Sequence, residues 1–145
     1  MRVTVQEAPF DAAEVTRGMG EDGRTGALVT FTGIVRGDGG LTAMEIEHYP
    51  AMTEGAMREF AQVAVARFGL TDVAVVHRVG RLVPGEQIMM VAAAAPHRAN
   101  AFAAAEFLMD WLKSRAPFWK KETRADGSAD WVEAKDEDED ALSRW

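Results

Sequence analysis

The sequence of 145 residues contains no cysteine. The chain therefore has no disulfide, no thiolate metal ligand and no thiol nucleophile of its own. Its three histidines show no metal-ligand spacing, so we expect neither a metal centre nor a bound cofactor. The sequence also lacks an apolar run near the about 18 residues that a membrane span needs, and residues 1–7 alternate polar and apolar side chains instead of forming a leader. We expect a cytoplasmic protein that does not enter a membrane.

Basic residues are also scarce, because 16 lysines and arginines stand against 23 acidic residues, a net charge of −7. Four of the 16 lie in the nine residues 113–121, Lys-Ser-Arg-Ala-Pro-Phe-Trp-Lys-Lys, which contain no acid. The rest of the chain carries 12 basic and 23 acidic residues. A nucleic-acid surface needs basic charge spread over a face, so this concentration predicts a site for a small anion and no nucleic-acid partner.

The chain length and the 48% hydrophobic content suit one domain over residues 1–145. Alternating and β-branched runs predict strands, and the run before Pro96 is apolar on both faces, which is typical of a central strand. A glycine-rich loop, residues 37–40, follows the second strand and lacks the residues of a phosphate-binding P-loop. The predicted strands are residues 3–5, 26–36, 41–49, 73–79, 87–95, 118–124 and 131–134.

Helical spacing of apolar residues predicts a short helix capped by Asp11 and two long helices. Thr53 is expected to cap the first long helix, which ends at Gly69. The second runs from just after Pro96 to about Ser114 and ends before Pro117. Its expected apolar side consists of Ala101, Ala104, Leu108 and Trp111, with Phe102, Ala105, Met109 and Leu112 beside them. The last two strands could form a hairpin that points Lys120 and Lys121 to opposite faces, and the final residues read as an acidic tail.

The lysines of the basic segment admit two interpretations. Lys113 suits the last turn of a helix simply because of the helix dipole, and Lys120 and Lys121 could be solvated strand residues. However, Pro117 fixes the intervening turn, and Phe118 and Trp119 are bulky enough to exclude water. A lysine near apolar rings and other cations loses proton affinity, which makes it a usable acid, base or nucleophile.

Three further residues are candidates for anion binding, each with a plainer alternative. His97 and Arg98 lie at the start of the second long helix, where anions gather, or are an ordinary surface pair. Arg36, beside the glycine loop, could clamp a phosphate or be a solvated edge residue. His48 and His77 lie on apolar strand faces and are interpreted as core histidines rather than ligands.

Several short motifs match one protein family. They are Phe-Thr-Gly-Ile-Val-Arg at 31–36, Glu-His-Tyr-Pro at 47–50, Met-Thr-Glu at 52–54, His-Arg-Val-Gly at 77–80, Pro-Gly at 84–85, His-Arg at 97–98 and Lys-Ser-Arg-Ala-Pro-Phe-Trp-Lys at 113–120. Together they resemble the large, catalytic subunit of molybdopterin synthase over nearly the whole chain. The segment 113–120 is the most specific of them.

The resemblance implies an α+β fold of the α/β-hammerhead kind, with a mixed or antiparallel sheet, two long helices and a C-terminal hairpin. It also implies a homodimer that binds a ubiquitin-like small subunit at each end, forming a heterotetramer. In this family the thiocarboxylated C-terminus of the small subunit gives sulfur to cyclic pyranopterin monophosphate (precursor Z), and two transfers build the dithiolene of molybdopterin. The absence of cysteine agrees with sulfur that arrives on a partner.

By the same resemblance, Lys113 and Lys120 correspond to the two catalytic lysines. The implied substrate-binding residues are Ile34, Val35, Arg36, His97, Arg98, Lys113, Lys120, Lys121 and Glu122. Two features depart from the family pattern: the loop at 37–40 is short, and Ile34 stands where relatives often have a basic residue.

The spacing along the second long helix adds an inference about assembly. His97 and Lys113 are 16 residues apart, so one continuous helix separates them by roughly 24 Å. They cannot share a small pocket within one chain, and a common site would take His97 and Arg98 from a second subunit. A non-catalytic adaptor that binds the tail of a ubiquitin-like protein is the alternative function. A phosphoester hydrolase is weakened by the lack of a metal-ligand cluster.

Overall fold

A computed structural model describes residues 1–133 and 135–145 of the chain. It is an α+β structure in which two four-stranded sheets are combined with four helices. The strands are β1 (Arg2–Gln6), β2 (Ala27–Ile34), β3 (Leu41–His48), β4 (Asp72–Arg78), β5 (Gly80–Leu82), β6 (Gln87–Ala95), β7 (Phe118–Arg124) and β8 (Ala129–Trp131). The helices are α1 (Ala12–Thr16), α2 (Pro50–Phe68), α3 (Arg98–Ser114) and α4 (Asp136–Leu142). A short 3₁₀ turn, Asp38–Gly40, occupies the glycine loop.

The first sheet has the order β1-β4-β6-β2 and is mixed, because β1 runs parallel to β4 while the other pairs are antiparallel. As the apolar run predicted, β6 is an interior strand. One face of this sheet packs against α2 and α3, and the other packs against α1 through Val15, Ala74, Val76, Met90 and Ala92. The sheet is therefore covered on both sides, which explains why its central strands are apolar on both faces.

The second sheet has the order β5-β3-β7-β8 and is antiparallel throughout. A small apolar cluster joins it to the first sheet, and its buried members are Val35, Leu41, Ile46, Val79 and Leu82. The predicted hairpin is present, with Lys121 opposite Trp131, but β8 lies at Ala129–Trp131 rather than at 131–134. Ala134, the last residue of the predicted strand, lies outside the described residues.

Local features of the sequence set where helices α1 and α2 begin. Asp11 caps α1 as predicted, accepting hydrogen bonds from the backbone N–H groups of Ala13 and Glu14 at 2.8 and 3.4 Å. The expectation for Thr53 is wrong: α2 starts at Pro50 with Tyr49 as N-cap, and the buried Thr53 hydroxyl donates to the Tyr49 carbonyl at 2.8 Å. Proline suits the first helical position because no intrahelical bond needs its missing N–H.

Helix α3 shows one error in the predicted apolar face. Phe102 is 62% exposed, whereas Phe107 is 1% exposed and packs in the main core. The entry to this helix is tightly fixed, because a Cβ on Gly26 would lie 2.3 Å from the Pro96 carbonyl oxygen. Only glycine fits that close approach, which holds the turn before His97 against β2.

The acidic C-terminal residues are not a free tail. They form α4, which packs on α3. Arg144 pairs with Glu106 and Asp110 at 2.9 and 2.7 Å, and the Trp145 ring packs edge-on against Phe68 and Phe107. The charge run at 136–140 hid this docking, because its anchoring contacts are long-range: Glu139 pairs with Arg115 at 2.7 Å, and the other contacts come from Arg144 and Trp145 beyond the run.

Candidate active site

A pocket of about 430 Å³ lies where the C-terminal end of α3, the end of β2, one face of β7 and the segment around α4 meet. Its apolar wall includes Leu41, Met44, Ile88 and Phe118. The charged residues that line it are Arg36, Asp38, Lys113, Lys120, Glu122, Glu133, Lys135 and Asp138. The volume suits a small ligand, and the mixture of cations and apolar surface suits an organic anion.

Two lysines reach this pocket from either side of a tight turn. Lys113 is exposed in the last turn of α3, the helix ends at Ser114, and the chain re-enters as β7 at Phe118. Alternation along β7 then directs Phe118, Lys120 and Glu122 to the pocket. Phe118 thus lies in the same pocket wall as both lysines, whereas Trp119 is 47% exposed and not part of that wall.

The environment of Lys120 lowers the pKa of its ammonium group. Burial is the main cause that lowers the pKa of this ammonium, and the charge of Lys113 lowers it further. The carboxylates of Asp138 and Glu122 act in the opposite direction. A lysine with lowered pKa can exchange a proton nearer neutral pH, as general acid–base or nucleophilic chemistry requires.

The end of β2 brings the predicted residues Ile34, Val35 and Arg36 to the pocket through a β-bulge. The pairing with β6 shifts between Gly33 and Ile34. Val35 is then buried, with backbone bonds of 2.9 Å to Glu86 and Gly85, whereas Ile34 is 53% exposed. Within residues 1–133 and 135–145, Arg36 pairs only with Asp38, at 3.5 Å, and it is well exposed, so its guanidinium can turn toward an incoming anion. Bulges often redirect side chains next to active sites in this way.

Glu122 and Lys121, which are neighbours in sequence, are separated by the sheet. Glu122 lines the pocket and pairs with Arg124 at 3.1 Å. Lys121 is not part of the pocket wall; its ammonium lies 5.8 Å from the centre of the Trp131 ring. The prediction that Lys120 and Lys121 point to opposite faces of the sheet is confirmed. The structure does not bring Lys121 to the other candidate residues.

His97 and Arg98 are also outside this pocket. His97 is the N-cap of α3 and Arg98 is its first residue, whereas Lys113 lies in its last turn. Because α3 is continuous, the roughly 24 Å expected from the rise per residue separates the two ends. Within one chain, His97 and Arg98 therefore lie far from Lys113, as the spacing predicted.

Comparison with known proteins identifies the family. The family model described as "MoaE protein" matches residues 5–115. The molybdopterin synthase catalytic subunit of Cereibacter sphaeroides is 61% identical to this chain, with 100% of both chains covered. The chain belongs to the MoaE family.

Solved structures of MoaE relatives agree with the fold. A molybdopterin biosynthesis MoaE protein from Burkholderia ambifaria is 50% identical, covers 100% of this chain and 98% of its own, and superposes with a TM-score of 0.84. A molybdopterin synthase from Staphylococcus aureus is 27% identical over 92% of this chain and 98% of its own, with a TM-score of 0.83. The MoaE family model stops at residue 115, but these relatives extend over the rest, which includes Lys120.

Sequence reasoning missed several residues of the MoaE site. His77 was interpreted as a core histidine; it is indeed buried, but it lines the pocket and stacks on Phe118. Asp138 was assigned to an acidic tail and Lys135 was given no role, but both form part of the wall. The alternation of residues 73–79 placed His77 on the correct face of its strand. No local feature of the sequence indicates that β4 and β7 come together.

In residues 1–133 and 135–145, no group of three or more His, Cys, Asp or Glu side chains is arranged to hold a metal ion. Across the same residues, none of the helices has the length and apolar character of a transmembrane segment.

Proposed function

We propose that this chain is the catalytic subunit of a molybdopterin synthase and acts as a sulfurtransferase. It takes sulfur from the thiocarboxylated C-terminus of a ubiquitin-like small subunit and transfers it to cyclic pyranopterin monophosphate. The observation that carries the proposal is the half-buried position of Lys120 beside Lys113 in a pocket of a protein without cysteine. Such a site supplies acid–base groups and positive charge, while the sulfur comes from the partner.

The two lysines have different surroundings, which suggests a division of work. Lys120, with its lowered pKa, exchanges protons with the reacting carbons and oxygens of the substrate. Lys113, exposed at the rim, supplies a positive charge near the tetrahedral intermediate that forms when water attacks the acyl carbon; its C–S bond then breaks, which leaves the sulfur on the substrate and a carboxylate on the small subunit. The apolar wall around Phe118 limits water near the half-buried Lys120.

The substrate phosphate is assigned to arginine. Arg36 can form a charge-assisted contact with the cyclic phosphate from the end of β2. The exposed helix start at His97 and Arg98 completes an anion site only if a second copy of the chain brings it to the pocket. We therefore propose a homodimer with shared sites, and a heterotetramer once a small subunit has bound to each copy.

Reconstitution tests the function directly. The purified chain is mixed with the thiocarboxylated small subunit and cyclic pyranopterin monophosphate, and dithiolene formation is followed. A synthase converts the precursor, whereas an adaptor that only binds the tail leaves it unchanged. A small subunit with an ordinary carboxylate terminus is the matched control and gives no product.

Subunit exchange tests the shared site. A variant with Arg98→Ala and one with Lys113→Ala, each inactive alone, are combined into a heterodimer purified through two different tags. One pocket then carries both defects and the other neither, so about half of the normal activity returns. A folded, partner-bound heterodimer without recovered activity would mean that each chain builds its own pocket.

A further inference from the structure

Arg144 and Trp145, which follow α4 and are here called the C-terminal anchor, are fixed on the two long helices. The indole N–H of Trp145 donates to a carboxylate oxygen of Asp110 on α3 at 2.6 Å. The indole ring meets Phe68 of α2 and Phe107 of α3 edge-on, with ring centres 5.7 and 5.6 Å apart. Trp145 therefore joins α2 and α3 through apolar and polar contacts at once.

Charged groups of both long helices add to the C-terminal anchor. Arg144 pairs with Glu106 at 2.9 Å and with Asp110 at 2.7 Å, and the Asp110 side chain is only 12% exposed. Arg67 of α2 donates to the main-chain oxygen of Trp145 at 2.8 Å, and its guanidinium carbon lies 5.6 Å from the centre of the indole ring. The anchor is thus held in one place from several directions.

Helix α4 has little of its own to hold it in position. All seven of its residues are described and none of them is buried, and a helix this short is marginal in water. Acids in the first turn suit the helix dipole, but the five consecutive acids at 136–140 repel one another. The pair between Glu139 and Arg115, at 2.7 Å, is exposed and adds little. The position of α4 therefore depends mainly on the C-terminal anchor.

The start of α4 brings two charges to the pocket. Lys135, its N-cap, and Asp138, in its first turn, line the pocket together with Lys113 and Lys120. Burial and the charge of Lys113 lower the pKa of Lys120, whereas Asp138 raises it and Lys135 lowers it. A displacement of α4 would therefore change both the wall of the pocket and the charge around Lys120.

We propose that Trp145 is a positioning residue for the pocket: it holds α4 on α2 and α3, and so keeps Lys135 and Asp138 in the pocket wall. Trp145 is not itself among the residues that line the pocket, so it acts through α4. The inference rests on the proposed function, because it gives this part of the wall a share in turnover.

Hydrogen exchange of the full chain tests the anchoring without substrate. In Trp145→Ala, backbone exchange at 136–142 should become roughly tenfold faster or more, since two aromatic contacts and a hydrogen bond are lost. Val15→Ala is the control for lost packing: Val15 of α1 is 4% exposed, packs on the opposite face of the first sheet and should leave exchange in α4 unchanged. In the same samples the ¹³Cε NMR resonance of Lys120 should shift in Trp145→Ala only. Unchanged exchange in α4, or an unchanged Lys120 resonance, would overturn the proposal.

Combined substitutions test the route from Trp145 to the pocket in the reconstituted reaction. Trp145→Ala and the double variant Lys135→Ala/Asp138→Ala should each lower kcat/KM about tenfold. All three substitutions together should cost no more than about twofold beyond either variant, because the same two side chains are lost from the wall, whereas independent effects would multiply. Trp145→Phe keeps an aromatic ring between the helices, loses only the indole N–H and should retain most of the rate.

Each outcome of these variants supports or contradicts the positioning role. Losses that multiply in the combined variant would mean that Trp145 acts through general stability, and a wild-type rate in Lys135→Ala/Asp138→Ala would mean that the wall has no part in turnover. Either result contradicts the role. If Trp145→Ala does not fold, Trp145→Leu, which keeps apolar volume between the helices, replaces it with the same expectations. A wild-type chain without turnover would contradict the proposed function, and the exchange and NMR comparisons would still decide whether Trp145 positions α4 at the pocket.

Discussion

The two sheets of this protein differ in what surrounds their interior strands. In β6, all residues from Met89 to Ala95 are buried, because helices cover both faces of the first sheet. In β7, also an interior strand, no residue is buried: one face lines the pocket, and the other carries exposed side chains such as Trp119, which is 47% exposed. The first sheet concentrates apolar burial and the second concentrates charge. Stability and chemistry are thus located in different parts of one small fold.

The strongest test of this division is Lys120→Ala. Removal of an acid–base group should lower molybdopterin formation by about 10²–10⁴-fold, while the midpoint of thermal unfolding changes little. Lys121→Ala is the matched control, since it removes the adjacent lysine on the opposite face and should cost no more than a few-fold. Rates from the reconstituted assay decide, and equal losses in the two variants would contradict the separation of the faces.

Phe107→Ala tests the apolar core between the first sheet and its helices. This ring is 1% exposed and packs against Phe68 and Trp145, so its removal should lower the free energy of unfolding by about 3–5 kcal/mol. Trp119→Ala, which removes a larger but half-exposed ring from the second sheet, should cost much less. Urea denaturation of both variants gives the comparison, and a greater loss for Trp119→Ala would reverse the assignment.

Arg36→Ala separates substrate binding from turnover at the charged pocket. The loss of a charge-assisted phosphate contact, about 1.5–3 kcal/mol, should weaken precursor binding roughly ten- to hundredfold. Arg81→Ala removes an exposed arginine of β5 that is not part of the pocket wall and should leave binding unchanged. Titration calorimetry measures both, and an unaltered Kd for Arg36→Ala would place the phosphate elsewhere.

Acid should lower the free energy of unfolding through His77, the buried histidine of β4. Since the pKa of His77 falls from 6.5 to about 3 on folding, its stabilising effect is complete above pH 6.5 and is lost as the pH falls toward 3. Between pH 7 and pH 5 this residue should account for a loss of about 2 kcal/mol in the free energy of unfolding. His77→Gln should show a smaller loss over that interval in denaturant titrations at the two pH values. Identical pH dependence in both proteins would mean that His77 is not the group that titrates.

Local patterns were sufficient for most elements of the fold. The alternation and apolar character of residues 87–95 gave β6 at its observed bounds, and the strand 118–124 also matches. Proline and glycine fixed the ends of the long helices, because their backbone effects act within a few residues. Local patterns failed at Thr53, where Pro50 offered an earlier start, and at residues 136–142, where charge alone suggested a tail.

The candidate site was only partly accessible from the sequence. Segment 113–120 indicated both lysines, and the resemblance added Ile34, Val35, Arg36 and Glu122, all of which line the pocket. Lys121 faces away from it, and His97 and Arg98 lie at the other end of α3. The resemblance supplies residue types at positions, but it carries no information on which side chains one chain brings together.

The sequence by itself determined most strands and both long helices, the placement of cations around a fixed turn and the lack of any thiol, because these depend on residue identity and short-range spacing. Only the tertiary structure decided that α4 forms part of the pocket wall and that His77 stacks on Phe118 beside Lys120. Those contacts join residues far apart in the chain. They exist because burial of apolar surface draws the two sheets and the helices into one core, and the burial that results lowers the proton affinity of Lys120.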